Sequence, residues 1–147
     1  MGQTANGMSF VGALVFVSPD GSTWTDVSGH GASVSVSGGD RKVGSQDTFD
    51  SDTPIVMAGS REPVEVTVRY VYTEEAGDPF EVLRGQHETV GGALHVQYSP
   101  KDGFWFKTGA AILVKPGYPG GEAGSGDVVM SEFVVKAASL SKADAST

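Results

Sequence analysis

Three aspartates stand close together in the sequence, at Asp47, Asp50 and Asp52. Carboxylates at short spacing are the ligands that a hard cation such as Ca²⁺ prefers. A calcium loop, however, follows the pattern Asp-x-Asp-x-Asp-Gly with a distal glutamate, whereas Thr53-Pro54 follows the third aspartate here. We therefore expect these carboxylates to face solvent or a neighbouring subunit, and we expect no metal and no other cofactor.

No other group of residues forms a recognisable catalytic pattern. The histidines His30, His87 and His95 lack the i, i+4 spacing of a zinc-binding helix. The chain contains no cysteine, which excludes a thiolate nucleophile and a disulfide framework. The glycines of residues 117–126 do not follow a strand and open a helix, as a dinucleotide-binding loop does. We therefore expect that the protein is not an enzyme.

Two tryptophans, Trp24 and Trp105, are the remaining candidates for a binding site. If both lay side by side on an exposed face, they could stack on sugar rings. Packing in a core or an interface is the commoner role for such large side chains. A binding module is therefore the alternative interpretation of this sequence.

Most of the chain has the pattern of antiparallel β-strands. From Val64 to Tyr72, five apolar residues alternate with polar ones, which indicates a strand with one buried face and one face in water. Residues 94–98 repeat this alternation, and residues 104–114 and 127–140 are also rich in strand-forming residues. Residues 10–27 contain a Pro-Asp-Gly turn between two apolar segments, which predicts a hairpin.

One segment, residues 79–89, predicts a short helix. Asp78 can cap its N-terminus, and the proline that follows suits the first helical position. Phe80, Leu83 and His87 would share one helix face at i, i+3 and i+7. We expect this helix to cover one face or one end of the sheet.

A long segment, residues 38–62, contains no simple alternation but carries the large apolar residues Phe49, Ile55, Val56 and Met57. A disordered linker would not normally hold so many apolar side chains so close together. Such residues on a monomer surface favour aggregation unless a neighbour buries them. We interpret residues 38–62 as a protruding hairpin-like loop that contacts another subunit.

Length and charge limit the remaining possibilities. The chain has 147 residues, 21 of them glycine, and a net charge of −8. This length fits one domain, which we place at residues 10–136 between an N-terminal arm, 1–9, and a flexible C-terminal tail, 137–147. The acidic balance argues against tight binding of nucleic-acid phosphates, which needs lysine and arginine. No apolar run is long enough for a spanning helix, so we expect no membrane insertion.

The stretch from residue 32 to residue 142 resembles the major tail proteins of long-tailed bacteriophages, which are tail tube subunits. The motifs that carry the likeness are Gly38-Gly39-Asp40-Arg41, Phe49-Asp50-Ser51-Asp52-Thr53-Pro54, Gly59-Ser60-Arg61-Glu62-Pro63, Asp78-Pro79-Phe80, Tyr98-Ser99-Pro100-Lys101 and Lys136-Ala137-Ala138. The resemblance implies a mainly β fold: an antiparallel β-sandwich or barrel of the tail-tube type, with one short flanking helix and with long loop and terminal arms.

The resemblance also implies a structural virion protein without catalytic residues. Its subunits would form rings, hexameric in this family, that stack into a tube. Double-stranded DNA would pass from capsid to host through this tube without specific binding. Residues 38–62, with Phe49, Ile55, Val56 and Met57, would make contacts between rings. Tubes of contractile or secretion-like machines share the fold.

The partners that the resemblance implies are further copies of the chain along the tube and other tail proteins at its ends, such as tape-measure, tail-tip and terminator proteins. Assembly would take place in the host cytoplasm, and the product would belong to the virion tail. The alternative is a carbohydrate- or protein-binding β-sandwich module on a virion or cell surface.

The net negative charge of the chain would have a role in a tube, because DNA must slide through the channel rather than bind to its wall. Carboxylates on the inner wall would repel the phosphate backbone over a Debye length of about 8–10 Å. We expect a subset of Asp47, Asp50, Asp52, Glu65 and Glu132 to face the lumen. The alternative is that these carboxylates only keep the outer surface soluble.

Overall fold

A computed structural model describes residues 3, 7, 12–22, 24–29, 31–74, 79–88, 91–100, 104–121, 123–124 and 126–143. Within these residues the chain forms eleven strands and one helix. The elements are β1 Leu14–Ser18, β2 Thr25–Asp26, β3 Gly31–Gly38, β4 Arg41–Thr48, β5 Ser51–Arg61, β6 Val64–Val71, α1 Pro79–Glu88, β7 Ala93–Ser99, β8 Trp105–Lys107, β9 Ala111–Lys115, β10 Met130–Ala137 and β11 Ser141–Ala143. Most of the expected N-terminal arm, 1–9, lies outside the described residues.

All strand pairs are antiparallel, and β7 joins two halves of the structure. One half has the order β2-β1-β7-β8-β11, and the other has the order β7-β9-β10-β6-β3. The strand β7 belongs to both because β1 pairs with one of its edges while β8 and β9 pair with different parts of the other. The expected mainly β, antiparallel fold class is confirmed.

The core lies between the two halves and follows from the alternation in the sequence. In β6 the even-numbered residues from Val64 to Tyr70 are buried, and Val66 and Val68 have no exposed surface. In β10, Phe133 and Val135 face the same core. Buried residues of β1, β6, β7, β9, β10 and α1 form one cluster, so the two halves share a single core.

The helix α1 is described from Pro79 to Glu88, and the expected last residue, Thr89, lies outside the described residues. Phe80 and Leu83 are buried in the core, as the i, i+3 spacing predicts. His87 was expected on the same face but is exposed. The last turn of the helix therefore extends beyond the core, and its exposed side carries the i, i+4 ion pair between Arg84 and Glu88, at 3.3 Å.

The β-prone run 104–114 contributes to two strands, because Gly109 adopts φ +66° and separates β8 from β9. One sequence expectation needs correction. Residues 137–147 are not a flexible tail throughout, because Ser141–Ala143 form β11 and pair with β8. A short edge strand gains these backbone hydrogen bonds even though its own residues carry little apolar character. Residues 144–147 lie outside the described part of the chain.

The strands β4 and β5 leave the sheet at residues 38–40 and 62–63, which we call the root. Gly38 adopts φ +79°, and a Cβ atom at this position would overlap the carbonyl oxygen of Pro63. The amide of Gly39 donates to that same oxygen at 3.1 Å, and the amide of Glu62 donates to the Asp40 carbonyl at 2.7 Å. Only glycine fits this approach without strain, and the two hydrogen bonds fix the direction in which the two strands depart.

A second glycine gives a test of the fold. Gly117 has φ +79°, and a Cβ atom here would overlap the backbone carbonyl of Glu132. We expect Gly117→Ala to lower the free energy of unfolding by more than about 3 kcal/mol, because strain and overlap add. Urea unfolding monitored by fluorescence measures this change.

The matched control is Gly121→Ala in the same loop, where a Cβ atom would meet nothing within 4 Å. This variant should change the stability by less than about 0.5 kcal/mol. Equal effects of the two substitutions would contradict the described path of the chain at Gly117.

Candidate functional site

The most unusual feature of the molecule is the hairpin of β4 and β5, which we call the ribbon (residues 41–61). Its two strands pair with each other and with no other described strand. Every residue of the ribbon is exposed. The strand β5 has 11 residues and spans about 33 Å at 3.3 Å per residue. The loop expected at residues 38–62 is therefore a regular hairpin that projects from the sheet.

The apolar side chains of the ribbon lie on both of its faces. Directly opposed residues of an antiparallel pair point to the same face. The strand register therefore puts Ile55 and Met57 on one face and Val43 and Val56 on the other. These four side chains are 53–67% exposed. A continuous apolar run is typical of strands that are covered on both faces. Sequence reasoning grouped Ile55, Val56 and Met57 as one contact, whereas the structure divides them between two surfaces.

The tip of the ribbon combines an aromatic ring with carboxylates. Phe49 and Asp50 form the turn, and the Phe49 side chain is fully exposed. Asp47 and Asp52 flank this turn along the chain. None of the three carboxylates forms an ion pair within the described part of the chain. In that part, no three histidine or acidic side chains lie close enough to hold a metal ion.

The other two acidic candidates, Glu65 and Glu132, lie together on the polar face of β6 and β10, away from the ribbon tip. The carboxylate of Glu65 is 4.0 Å from the Lys136 ammonium group, and that of Glu132 is 3.9 Å from Lys115. Arg69 stands directly opposite Glu132 in the strand register. This face thus carries three cations for two carboxylates. Because the pairs are exposed, each contributes at most about 1 kcal/mol.

A cleft of about 560 Å³ opens at the end of β6 and β10 that is opposite to the ribbon. The ribbon begins beside Val64, whereas the cleft lies near Val71, so the two features are separated by the length of β6. Two large apolar side chains of the cleft are exposed as well, Val128 at 65% and Val129 at 45%, and Tyr118 of the adjoining pocket is 66% exposed. The cleft is lined by Arg69, Gly120, Gly121, Asp127, Val128, Val129 and Met130.

The segment that forms one wall of this cleft is attached to the core by hydrogen bonds at Pro116 and Gly117. The buried Tyr70 hydroxyl donates to the Pro116 carbonyl at 3.3 Å, and the Ser131 hydroxyl donates to the Gly117 carbonyl. Burial of Tyr70 raises the pKa of its phenol, so the group stays protonated as a donor. The sequence excludes a dinucleotide-binding loop at residues 117–126 and indicates no other role for this segment. The exposed pair Val128 and Val129 was the available signal for a contact surface.

The tryptophans do not form an exposed binding platform. Trp105 is only 5% exposed and stacks on Phe16, with ring centroids 5.3 Å apart. Trp24 instead contacts His95 edge-on. His30 lies outside the described residues. In the part of the chain that the structure describes, no helix has both the length and the apolar character needed to cross a membrane.

Comparison with known proteins gives similarity at the level of the fold. No protein-family model matches the sequence, and no curated protein matches it. Among solved structures, a chain of the cryo-EM structure of an extracellular contractile injection system, the PVC sheath–tube complex in its extended state, has a TM-score of 0.67 at 15% identity, over 95% of this chain and 93% of that chain.

Two chains from structures of the anti-feeding prophage are also similar. One belongs to the baseplate, with a TM-score of 0.64 at 11% identity, over 98% of both chains. The other belongs to the cap that terminates the tube, with a TM-score of 0.65 at 12% identity, over 99% of this chain and 96% of that chain. The protein therefore shares its fold with chains of a contractile injection system and of the anti-feeding prophage.

The isolation of the ribbon predicts a difference in local stability. A single two-stranded hairpin is marginal in water, whereas a strand in a packed sheet opens only with large parts of the fold. We expect the amides of β4 and β5 to exchange with deuterium at least about 100-fold faster than those of β6 and β10 in the monomer. Hydrogen exchange read by NMR or mass spectrometry measures this. Equal protection of β5 and β6 would show that the ribbon packs on its own domain.

Proposed function

We propose that this chain is the tube subunit of a phage tail or of a tail-like injection machine, and that it assembles into stacked rings of six around a central channel. The observation that carries this proposal is the ribbon, whose apolar side chains have no cover within the described part of the chain. A surface of this kind needs a partner. The shared fold with chains of tube, baseplate and cap structures supports the choice of another copy as that partner.

Contacts between rings follow from the difference between the two ends of the domain. The ribbon projects from one end of β6, and exposed apolar residues cluster at the other end. A contact between two different surfaces of identical subunits is heterologous, and its repetition generates a ring or a filament. Phe49, Ile55, Val56 and Met57 are the inter-ring residues in this assembly.

Contacts within a ring use the free edge of the sheet. The strand β3 ends the strand order and is exposed along most of its length. An unpaired edge exposes backbone donors and acceptors that invite pairing with another chain. A closed ring of subunits satisfies such edges, because each edge meets the neighbour's sheet.

The channel of the tube is the conduit for double-stranded DNA in a virion. Of the acidic candidates, Glu65 and Glu132 are paired with Lys136 and Lys115. Within the described part of the chain, Asp47, Asp50 and Asp52 have no such partner. An acidic wall therefore depends on the ribbon carboxylates more than on the sheet face.

In this function the partners are further copies of the chain along the tube and tape-measure, tail-tip and terminator proteins at its ends. The finished particle would be a virion tail or a tail-like complex, assembled in the host cytoplasm. DNA passes without specific binding, and the chain performs no catalysis.

The decisive experiment is negative-stain microscopy of the purified protein at high concentration, with variants that change one ribbon face at a time. Wild type should form hollow stacked rings. We expect Ile55→Ser/Met57→Ser and Val43→Ser/Val56→Ser each to stop stacking, since every lost apolar contact costs about 1 kcal/mol or more and repeats around each ring. Circular dichroism should show an unchanged domain.

The matched control is Gln46→Ser, which changes a polar residue on the same face as Ile55. Tubes should grow normally in this variant. A wild-type protein that stays monomeric at all concentrations contradicts the proposed function, and tubes in both double variants contradict the role of the ribbon.

The charge of the channel has its own test. A cryo-EM map of the assembled tube should place a subset of Asp47, Asp50, Asp52, Glu65 and Glu132 on the inner wall, with a negative potential there. A neutral or basic wall would contradict the proposed electrostatic repulsion of DNA, while leaving the tube assignment intact.

A further inference from the structure

We infer that the cleft at the far end of β6 and β10 is the receptor for the ribbon tip of a second copy of this chain. The inference rests on the proposed function and deepens it, since it names both sides of the contact between rings. The occupant is the turn Phe49-Asp50 with its flanking residues.

The position of the two surfaces is the first argument. The ribbon leaves the sheet beside Gly38 and Val64, and the cleft opens beside Met130 and Val71, at the opposite ends of the same antiparallel strands. The strand β6 has 8 residues and spans about 23 Å at 3.3 Å per residue. Because the two surfaces lie at opposite ends of the domain, stacking identical copies end to end brings the ribbon end of one copy towards the cleft end of the next, and such a contact can repeat without limit.

The apolar surfaces match. The tip carries Phe49, whose ring has no cover within the described part of its own chain, and the cleft is lined by the exposed side chains of Val128 and Val129. An aromatic side chain of this kind is a typical anchor at the centre of an interface when it enters a pocket. A cleft of about 560 Å³ is large enough to accept such a ring together with its neighbours.

The charges match at one point. Arg69 borders the cleft, and no described residue forms an ion pair or a hydrogen bond with its guanidinium group. The tip brings three aspartates around Phe49. The cleft also contains the carboxylate of Asp127. Glu132 lines the adjoining pocket, where it pairs with Lys115 at 3.9 Å. Arg69 is thus the cation available to an acidic tip.

The first test maps the contact directly and uses the absence of native cysteine. Thr48→Cys places one thiol beside the tip while it retains Phe49 and Asp50, and a benzophenone maleimide is attached to it. Assemblies are grown from a mixture of this variant with ¹⁵N-labelled wild type and are irradiated. We expect cross-links from residue 48 to residues 117–130 of the labelled copy. Cross-links to β9, to the helix or within the same copy would overturn the inference.

The second test blocks the cleft without touching the ribbon. Gly121 lines the cleft, and a Cβ atom there would meet nothing within 4 Å, so Gly121→Trp fills the space while the domain folds. The control is Gly85→Trp on α1, an equally open position outside the cleft. We expect Gly121→Trp to raise the protein concentration needed for stacking at least about tenfold, the factor that corresponds to 1.4 kcal/mol, and Gly85→Trp to leave it unchanged.

Failure of the proposed function and failure of the cleft as the receptor give different results. If wild type forms no stacked rings, the proposed function fails. If wild type forms tubes and Gly121→Trp stacks at the same concentration, only the cleft is wrong as the receptor.

Discussion

A two-stranded ribbon cannot bury its own side chains, and this limit explains most of the molecule. Each face of such a ribbon is open, so apolar residues on either face remain in water until something else covers them. In this protein the domain buries a large set of apolar side chains in its core, whereas the ribbon leaves its own exposed. The ribbon side chains that are more than half exposed are Val43, Phe49, Ile55, Val56 and Met57. The domain is complete without the ribbon, whereas the ribbon is incomplete without a partner. In the proposed tube, assembly would use a surface that the fold itself leaves uncovered.

The domain supplies what the ribbon lacks, which is a rigid base. The strand β6 is central to this role, because it buries Val66 and Val68 completely and pairs with β3 and β10 on its two edges. The same strand connects the ribbon at one end with the cleft at the other. A buried, doubly paired strand transmits position without bending, so two distant surfaces keep a constant spacing. That constancy is what identical subunits need if they are to repeat along an axis.

The sequence predicts the domain better than it predicts the surfaces. The alternation from Val64 to Tyr70 specifies a half-buried strand, and the spacing of Phe80 and Leu83 specifies the buried side of α1, because both patterns depend on local periodicity. Two other features depend on distant partners and could not be foreseen. The strand β11 exists because β8 offers it a free edge. The division of Ile55 and Val56 between two faces depends on a register that only the pairing with β4 defines. The cleft lies between Gly120 and Gly121 of a glycine-rich segment and Met130 of β10. The glycine content of that segment did not predict a cleft.

The narrow root at Gly38 gives the ribbon the mechanics of a lever. Two backbone hydrogen bonds and one close approach to Pro63 set its angle, while its tip lies about 33 Å away at the rise of an extended strand. Over that arm, a change of about 5° at the root displaces the tip by about 3 Å, which is enough to separate two packed side chains. In the proposed tube, the backbone geometry at Gly38 would set how accurately successive copies are aligned, and through it how straight the tube is. A substitution at this residue would then alter the curvature of the proposed tube.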